Sequence, residues 1–246
     1  MSVRLHVNVD HVATLRNARG TPYPSPIVAA ENCLAAGADG ITAHLREDRR
    51  HIVDVDVEEL RALCARAKRT FNLEMAATDE MVGIAVRVRP DVCTLVPERR
   101  EERTTEGGLD AVAGGEGLAR RVRTLVGAGI KVSLFIAADA AQIERSHASG
   151  ATQIELHTGE YAHGREGELA RLADGAKRAH AMGLEVAAGH GLTQENTPAL
   201  VGIPEIVELN IGHAVVADAV FVGIGEAVRA YRAAIERGAS RRPGVS

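Results

Sequence analysis

The chain carries ten histidines. Six of them, His11, His44, His51, His157, His190 and His213, fall at the ends of short apolar runs or in the loops just after. An imidazole titrates near neutrality, so such a set suits proton exchange or metal ligation, while for any single one a satisfied structural role is the alternative. Catalytic metal sites in barrels often draw two histidines from alternate positions of one strand, and no His-x-His occurs here, so the spacing argues against a required metal. Acid–base work also needs carboxylates, and Glu74 and Glu155 each lie among apolar residues where burial would raise their pKa. An ion pair with Arg46 or another cation is the alternative for either. Lys68, Lys131 and Lys177 are the only lysines; the first and last sit in helical patterns and Lys131 starts a strand. None is placed to form an imine with a carbonyl substrate, so any imine must join two substrates. Phosphate binding is suggested twice. GHGLT (189–193) and NIGHA (210–214) offer glycines and backbone N–H groups at expected helix starts, and the loops NARGT and HLREDRRH bring Arg19, Arg46, Arg49 and Arg50. A tight turn and a solvated charge run are the plain readings of these motifs. Two anion sites would mean two phosphorylated substrates.

These residues need a scaffold that points them at one place. Strand-like runs recur at 5–10, 40–45, 71–76, 91–97, 131–137, 153–159, 185–191 and 206–212, separated by amphipathic stretches such as PIVAAENCLAAGA and ELARLADGAKRAHAMG. Eight alternations of strand and helix predict an α/β fold, a single (β/α)8 TIM barrel spanning 1–246. Within the strands Asn8 and Asp10 share a face, as do Thr42, His44 and Arg46, then Asn72 and Glu74, then Gln153, Glu155 and His157, then Glu208, Asn210 and Gly212. Helices must cover the apolar faces, so the polar faces line the lumen, which should open onto a ligand site at the C-terminal ends of the strands. The segment 97–110, PERREERTTEGGLD, is long, charged and without an apolar stripe; it is expected to be a mobile lid, with a surface insertion as the alternative.

Composition narrows the partners. A net charge of −4 and a pI near 6.2 give no basic face for nucleic acid or an anionic membrane. Cys33, Cys64 and Cys93 are odd in number, widely spaced and set in apolar runs, which predicts buried thiols in a reducing compartment. With no signal-like leader and no membrane-length apolar run, a cytoplasmic location is expected.

The blocks NVDHVATLRNARGT, HLREDRRHI, NLEMA, LVPERR, TTEGGLD, SLFIAAD, IELHTG, AGHGLT and ELNIGHA resemble the pyridoxine 5'-phosphate synthase family, the ring-closing enzymes of vitamin B6 biosynthesis. The resemblance runs in register over nearly the whole chain. It implies condensation of 3-amino-2-oxopropyl phosphate with 1-deoxy-D-xylulose 5-phosphate, without metal or organic cofactor, in a homo-octamer built from dimers. By matching positions it implies His44 and Glu74 as proton acceptors, His190 as a proton donor and Glu155 as stabiliser of a transition state. It assigns Asn8, Arg19, Gly191, Gly212 and His213 to the amino-ketone phosphate, and Asp10, His11, Arg46, His51 and Thr104 to the sugar phosphate. One departure is Ala137, where similar proteins often carry an acidic residue; none of these roles depends on it. A metal-dependent barrel hydrolase or aldolase, and a silent phosphometabolite-binding barrel, are the competing functions.

Overall fold

The fold was obtained as a computed structural model, which describes residues 3–104 and 107–242. Strands β1 (Arg4–Asn8), β2 (Gly40–His44), β3 (Thr70–Met75), β4 (Val92–Leu95), β5 (Lys131–Ile136), β6 (Gln153–His157), β7 (Glu185–Gly189) and β8 (Ile206–Ile211) pair in chain order. All pairs are parallel and β1 also pairs with β8, so the barrel is closed. Helices α1 (Asp10–Asn17) and α2 (Pro26–Ala35) follow β1; α3 (Asp54–Ala67), α4 (Asp79–Val88), α5 (Ala111–Gly127) and α6 (Ala140–Ser149) follow β2 to β5. After β6 come α7 (Gly159–Ala162) and α8 (Glu168–Ala181), after β7 comes α9 (Thr197–Val201), and α10 (His213–Val222) and α11 (Ile224–Ala239) end the chain. The expected (β/α)8 barrel is the fold observed.

The outward strand faces explain why it closes. Leu5, Val7, Ile41, Phe71, Leu73, Cys93, Leu134, Ile154, Leu156 and Leu209 are fully buried under the helices. β-Branched and leucine side chains fill this layer, and each removes roughly 1.5–3 kcal/mol worth of apolar surface from water. Cys33, Cys64 and Cys93 are free and buried as expected, and burial pushes the Cys33 and Cys64 thiols up to about 12. Among the described residues no helix is long and apolar enough to cross a membrane.

The inward faces are polar at more than one level. At the N-terminal end the guanidinium of Arg4 bonds Glu208 at 3.0 Å and also pairs with Glu185, which takes Lys131 at 2.8 Å and Gln153 at 3.2 Å. This ion cluster forms a floor beneath the barrel, with the buried His6 ring standing 3.5 Å from Glu208. Gly40 makes room for that ring, since a Cβ there would lie 2.6 Å from His6 Nε2. Gln153 and Glu208, in phase with the candidate residues, therefore belong to the floor and not to the mouth.

Several strands stop short of expectation, β4 at Leu95 and β6 at His157 among them, and two of these ends have a plain local cause. β1 stops at Asn8 because its side-chain Oδ1 accepts the backbone N–H of Asp10 at 2.9 Å, turning the chain directly into α1. β7 stops at Gly189, after which His190 and Gly191 both take left-handed backbone angles, φ +86° and +76°. The GHGLT loop consequently does not open a helix; α9 begins only at Thr197.

Candidate active site

The mouth is built outward from β1, β2 and β3. In register, His44 pairs with Glu74 and Asn8 with Thr42, so their side chains enter the same level of the lumen. Asn8 donates to Asp10 Oδ2 at 2.8 Å and to Glu74 Oε2 at 3.4 Å, while Asp10 Oδ1 accepts the backbone N–H of His44 at 2.8 Å. One short network thus holds two candidate carboxylates and one candidate imidazole. The His51 ring lies edge-on to His44 with centroids 5.9 Å apart. Asp10, His44 and His51 each bring a ligand atom within 4.8 Å of the others, so a cation or the polar end of a substrate could sit between them.

Below them Glu155 is buried, and its Oε2 accepts Asn210 Nδ2 at 2.8 Å, with Asn210 Oδ1 in turn accepting Thr42 Oγ1 at 2.9 Å. Neither carboxylate adopts the ion-pair alternative. Their described hydrogen-bond partners are the amides of Asn8 and Asn210, and Arg46 pairs instead with Asp48 at 3.1 Å. Burial, reinforced by the Asp10 charge, pushes Glu74 up to about 7 despite opposing help from His44 and Asn8. Burial also raises Glu155 well above the ordinary carboxylate range, with Glu74 and Glu208 adding repulsion. At His44 burial works against the imidazolium, but a bond to Glu98 and the charges of Glu74 and Asp10 outweigh it, and its pKa is raised. The Glu74 carboxyl is thereby brought to the neutral range beside an imidazole with raised proton affinity, a combination suited to proton transfer.

The opposite rim is made by β5, β6 and the β7 loop. His157 and His190 stack at 4.9 Å, with the Phe135 ring 5.2 Å from His157. Burial and the neighbouring His190 bring His157 down to about 4, leaving it neutral near pH 7, and burial with the His163 and Arg103 charges lowers His190. The Thr158 hydroxyl lies within 2.7 Å of both the Gly189 and His190 carbonyls, holding His190 in its strained backbone conformation. The third part of the rim is where the starts of α1 and α10 meet. His11 and His213 are edge to face at 4.8 Å, and Gly212 packs so closely on Asn8 that a Cβ would fall 3.0 Å from the Asn8 Cβ. Both helix starts present backbone N–H groups, which favours an anion.

A family profile described as "Pyridoxal phosphate biosynthesis protein PdxJ" matches residues 5–237. The chain belongs to the PdxJ family. Among its relatives are proteins named pyridoxine 5'-phosphate synthase from Xanthobacter autotrophicus, 57% identical over 96% of this chain and 94% of that protein, and from a Caulobacter species, 55% identical over 94% and 95%. The thiamine phosphate pyrophosphorylase of Pyrococcus furiosus superposes with a TM-score of 0.61 at 14% identity, covering 96% of this chain and 97% of the other, and this likeness concerns the fold alone.

Of the residues that the PdxJ resemblance singles out, Asn8, Asp10, His44, His51 and Glu74 share one network or one contact, with Glu155 beneath. His11, Gly212 and His213 form the helix-start corner. His190 and Gly191 form the opposite rim, where Gly191 lies against Ala162, whose Cβ would be 2.6 Å from an added one. Arg46 is at the edge, 3.8 Å from Glu98. Thr104 lies in the segment 97–110, where its N–H bonds Gly108 O at 2.8 Å; Thr105 and Glu106 of that segment fall outside the described residues. Arg19 is not brought in: it stands exposed beyond α1, and among the described residues no polar contact ties its side chain to the mouth. Arg49 and Arg50 are held by Asp54 and Asp48, the solvated-run reading of that loop.

Three residues of this PdxJ site carried no assigned role from sequence. Asn210 was grouped on the inward face of its strand without a role. Arg16 grips Asp56 through its two terminal guanidinium nitrogens at 2.7 and 2.8 Å, tying α1 to the start of α3 and so fixing the loop that carries His51. Glu98 bonds His44, and the signal for it was the β4 alternation itself: Thr94 points inward onto Asn72, and continuing in steps of two leads through Val96 to Glu98.

Proposed function

We propose that this chain is an enzyme that makes pyridoxine 5'-phosphate by joining 3-amino-2-oxopropyl phosphate to 1-deoxy-D-xylulose 5-phosphate, releasing inorganic phosphate and water. The substrate amine attacks the sugar ketone, which agrees with the absence of a lysine at the mouth. Proton transfers through Glu74, His44 and His190 then accompany phosphate loss, hydration, carbon–carbon closure and dehydration to the aromatic ring, while Glu155 stabilises a transition state. The observation that carries this reading is the Asn8–Asp10–His44–Glu74 network, in which Glu74 is held near neutrality beside the His44 imidazole. Two phosphate grips, Gly212 and His213 at the start of α10 on one side and His11, Arg46 and His51 on the other, would turn a bimolecular encounter into an intramolecular one. That contributes about 7–11 kcal/mol in well-oriented systems.

The covering part of the lid reading of 97–110 is supported by its place, with Gly107 lying over His157, while the bond from Leu109 N to Phe135 O at 2.7 Å and the antiparallel bridge of Arg103 with Leu109 tie the segment down rather than leave it loose. The homo-octamer of the resemblance is supported by Val220, Phe221 and Val222, 69%, 88% and 56% exposed at the end of α10, an apolar run suited to burial against a second copy.

Chelator-treated protein mixed with both substrates should form pyridoxine 5'-phosphate absorbance and one equivalent of inorganic phosphate per turnover; product from neither substrate pair, or only with added metal, would overturn the reading. The role that the resemblance gives Arg19 requires its exposed side chain to fold onto bound amino-ketone phosphate, in which case Arg19→Ala weakens that ligand roughly tenfold, one charged hydrogen bond's worth, and leaves the sugar phosphate nearly unchanged. Separate titrations showing equal losses would remove Arg19 from that role.

A further inference from the structure

Glu98 lies outside every role considered so far, at the base of the lid segment and against the candidate base. Its Oε1 stands 2.9 Å from His44 Nε2, its Oε2 accepts the backbone N–H of Glu47 at 3.1 Å, and its side chain is 4% exposed. Its own N–H donates to Glu102 Oε2 at 2.8 Å, so the short 3-10 turn Arg100–Glu102 of the lid segment holds the Glu98 backbone in place. From the other side, Asp10 Oδ1 holds the His44 backbone. The imidazole is therefore clamped at Nε2 by a carboxylate that is itself clamped by two strand-end loops.

We propose that Glu98 is a positioning residue that fixes the neutral His44 ring as its Nε2–H tautomer, making Nδ1 the nitrogen that takes up and returns the substrate proton. An ionised carboxylate has no proton to donate, so the hydrogen between it and Nε2 belongs to the imidazole. The lone pair of the neutral ring is then on Nδ1. When His44 acts as acceptor, the proton moves from substrate to Nδ1, its electron pair stays on the substrate, and the resulting imidazolium keeps its Nε2–H on Glu98. The ion pair so formed stabilises the charged ring, and the lowered pKa of Glu98 keeps the carboxylate ionised throughout. A Gln at this position could present either its oxygen or its NH2 to Nε2, and a Leu neither.

The inference uses the reading above only for its activity readout, so the test has two arms. Long-range 1H–15N spectra of protein labelled with 15N-histidine, with the His44 signals assigned by their loss in His44→Asn, should show the Nε2–H tautomer in the wild type at a pH above the His44 transition. Glu98→Leu should mix the tautomers, and turnover should fall on the order of tenfold or more, part of the roughly 10²–10⁴-fold that a general base supplies, with KM for both substrates within about threefold. Glu98→Asp should restore the wild-type tautomer and part of the rate. Should Glu98→Leu not fold, Glu98→Gln replaces it with the same expectation of mixed tautomers. A wild-type His44 protonated on Nδ1 alone, or a tautomer unchanged in the variant, overturns the proposal whatever the activity. A KM rise matching the loss in kcat/KM assigns Glu98 to substrate binding and overturns it as well.

Discussion

Replacing Glu74 by Gln should remove most of the turnover and at the same time make the fold more stable above neutral pH. The catalytic half follows from the site: Gln keeps the shape and can still accept from Asn8, but cannot take a proton, and a positioned general base is worth about 10²–10⁴-fold. The stability half follows from linkage. Glu74 is raised from 4.5 to about 7 in the folded protein because the surrounding barrel and the Asp10 charge disfavour its ionised form. Between those two values the folded chain keeps a proton that the unfolded chain has lost, so stability falls as pH rises through this window and stays low above it. At about 1.36 kcal/mol per unit, the ionised carboxylate costs the fold up to about 3 kcal/mol by pH 8 and nothing near pH 4. For a chain of this size Glu74→Gln should therefore raise the melting temperature by roughly 5 °C or more at pH 8, with a difference shrinking toward zero at pH 4.5. Thermal melts at both pH values, beside initial rates, check the two halves separately. Unchanged turnover would disqualify Glu74 as a base; a melting shift independent of pH would mean that its charge is not what the barrel resists.

The strand phases that put Glu74 there were legible in the sequence because a parallel barrel surrounded by helices leaves only one wet direction. Once Phe71, Leu73 and Met75 are assigned to the helices, Asn72 and Glu74 have nowhere else to point. What alternation does not carry is depth. Gln153, Glu155 and His157 share a phase, yet the first belongs to the floor with Glu185, the second to the buried middle with Asn210 and the third to the rim with His190. Depth depends on the stagger between strands, such as the pairing of Arg4 with Glu208 and of Gly189 with Asn210, which no single strand encodes. Turns were the other blind spot. The ends of β1 and β7 are decided by one side-chain bond from Asn8 and by a left-handed His190, and both are local events that hydrophobic periodicity passes over. Glu98 shows the reverse failure: its phase was readable, but the segment's charge and length drew attention to its surface character instead.

The closest packing in the site makes the second large prediction, Gly189→Ala. A Cβ at this position would lie 2.2 Å from Glu155 Oε1, 2.9 Å from the Asn210 carbonyl oxygen and 3.3 Å from the Asn210 Cβ. The backbone cannot retreat freely, because Thr158 N donates to Gly189 O at 2.9 Å and Gly189 pairs with both His157 and Asn210 across the sheet. The Glu155 carboxyl must move, and in a buried lumen that means breaking its 2.8 Å bond to Asn210 and disturbing the Thr42 link behind it. Overpacking of this kind costs about 1–3 kcal/mol, and a buried polar group left without its partner costs a similar amount. Gly189→Ala is accordingly expected to lower stability by about 2–5 kcal/mol and to depress turnover at least as much as Glu155→Gln does. The cause can be isolated with Glu155→Ala, which vacates the space that the new methyl enters. If the clash with Glu155 dominates, Gly189→Ala should cost at least about 1 kcal/mol less in the Glu155→Ala background than in the wild type, a coupling well outside ordinary additivity. Urea melts of the four proteins measure it. Equal costs in both backgrounds would show that the Asn210 backbone, not the carboxylate, sets the limit at Gly189, and would detach this glycine from the positioning of Glu155.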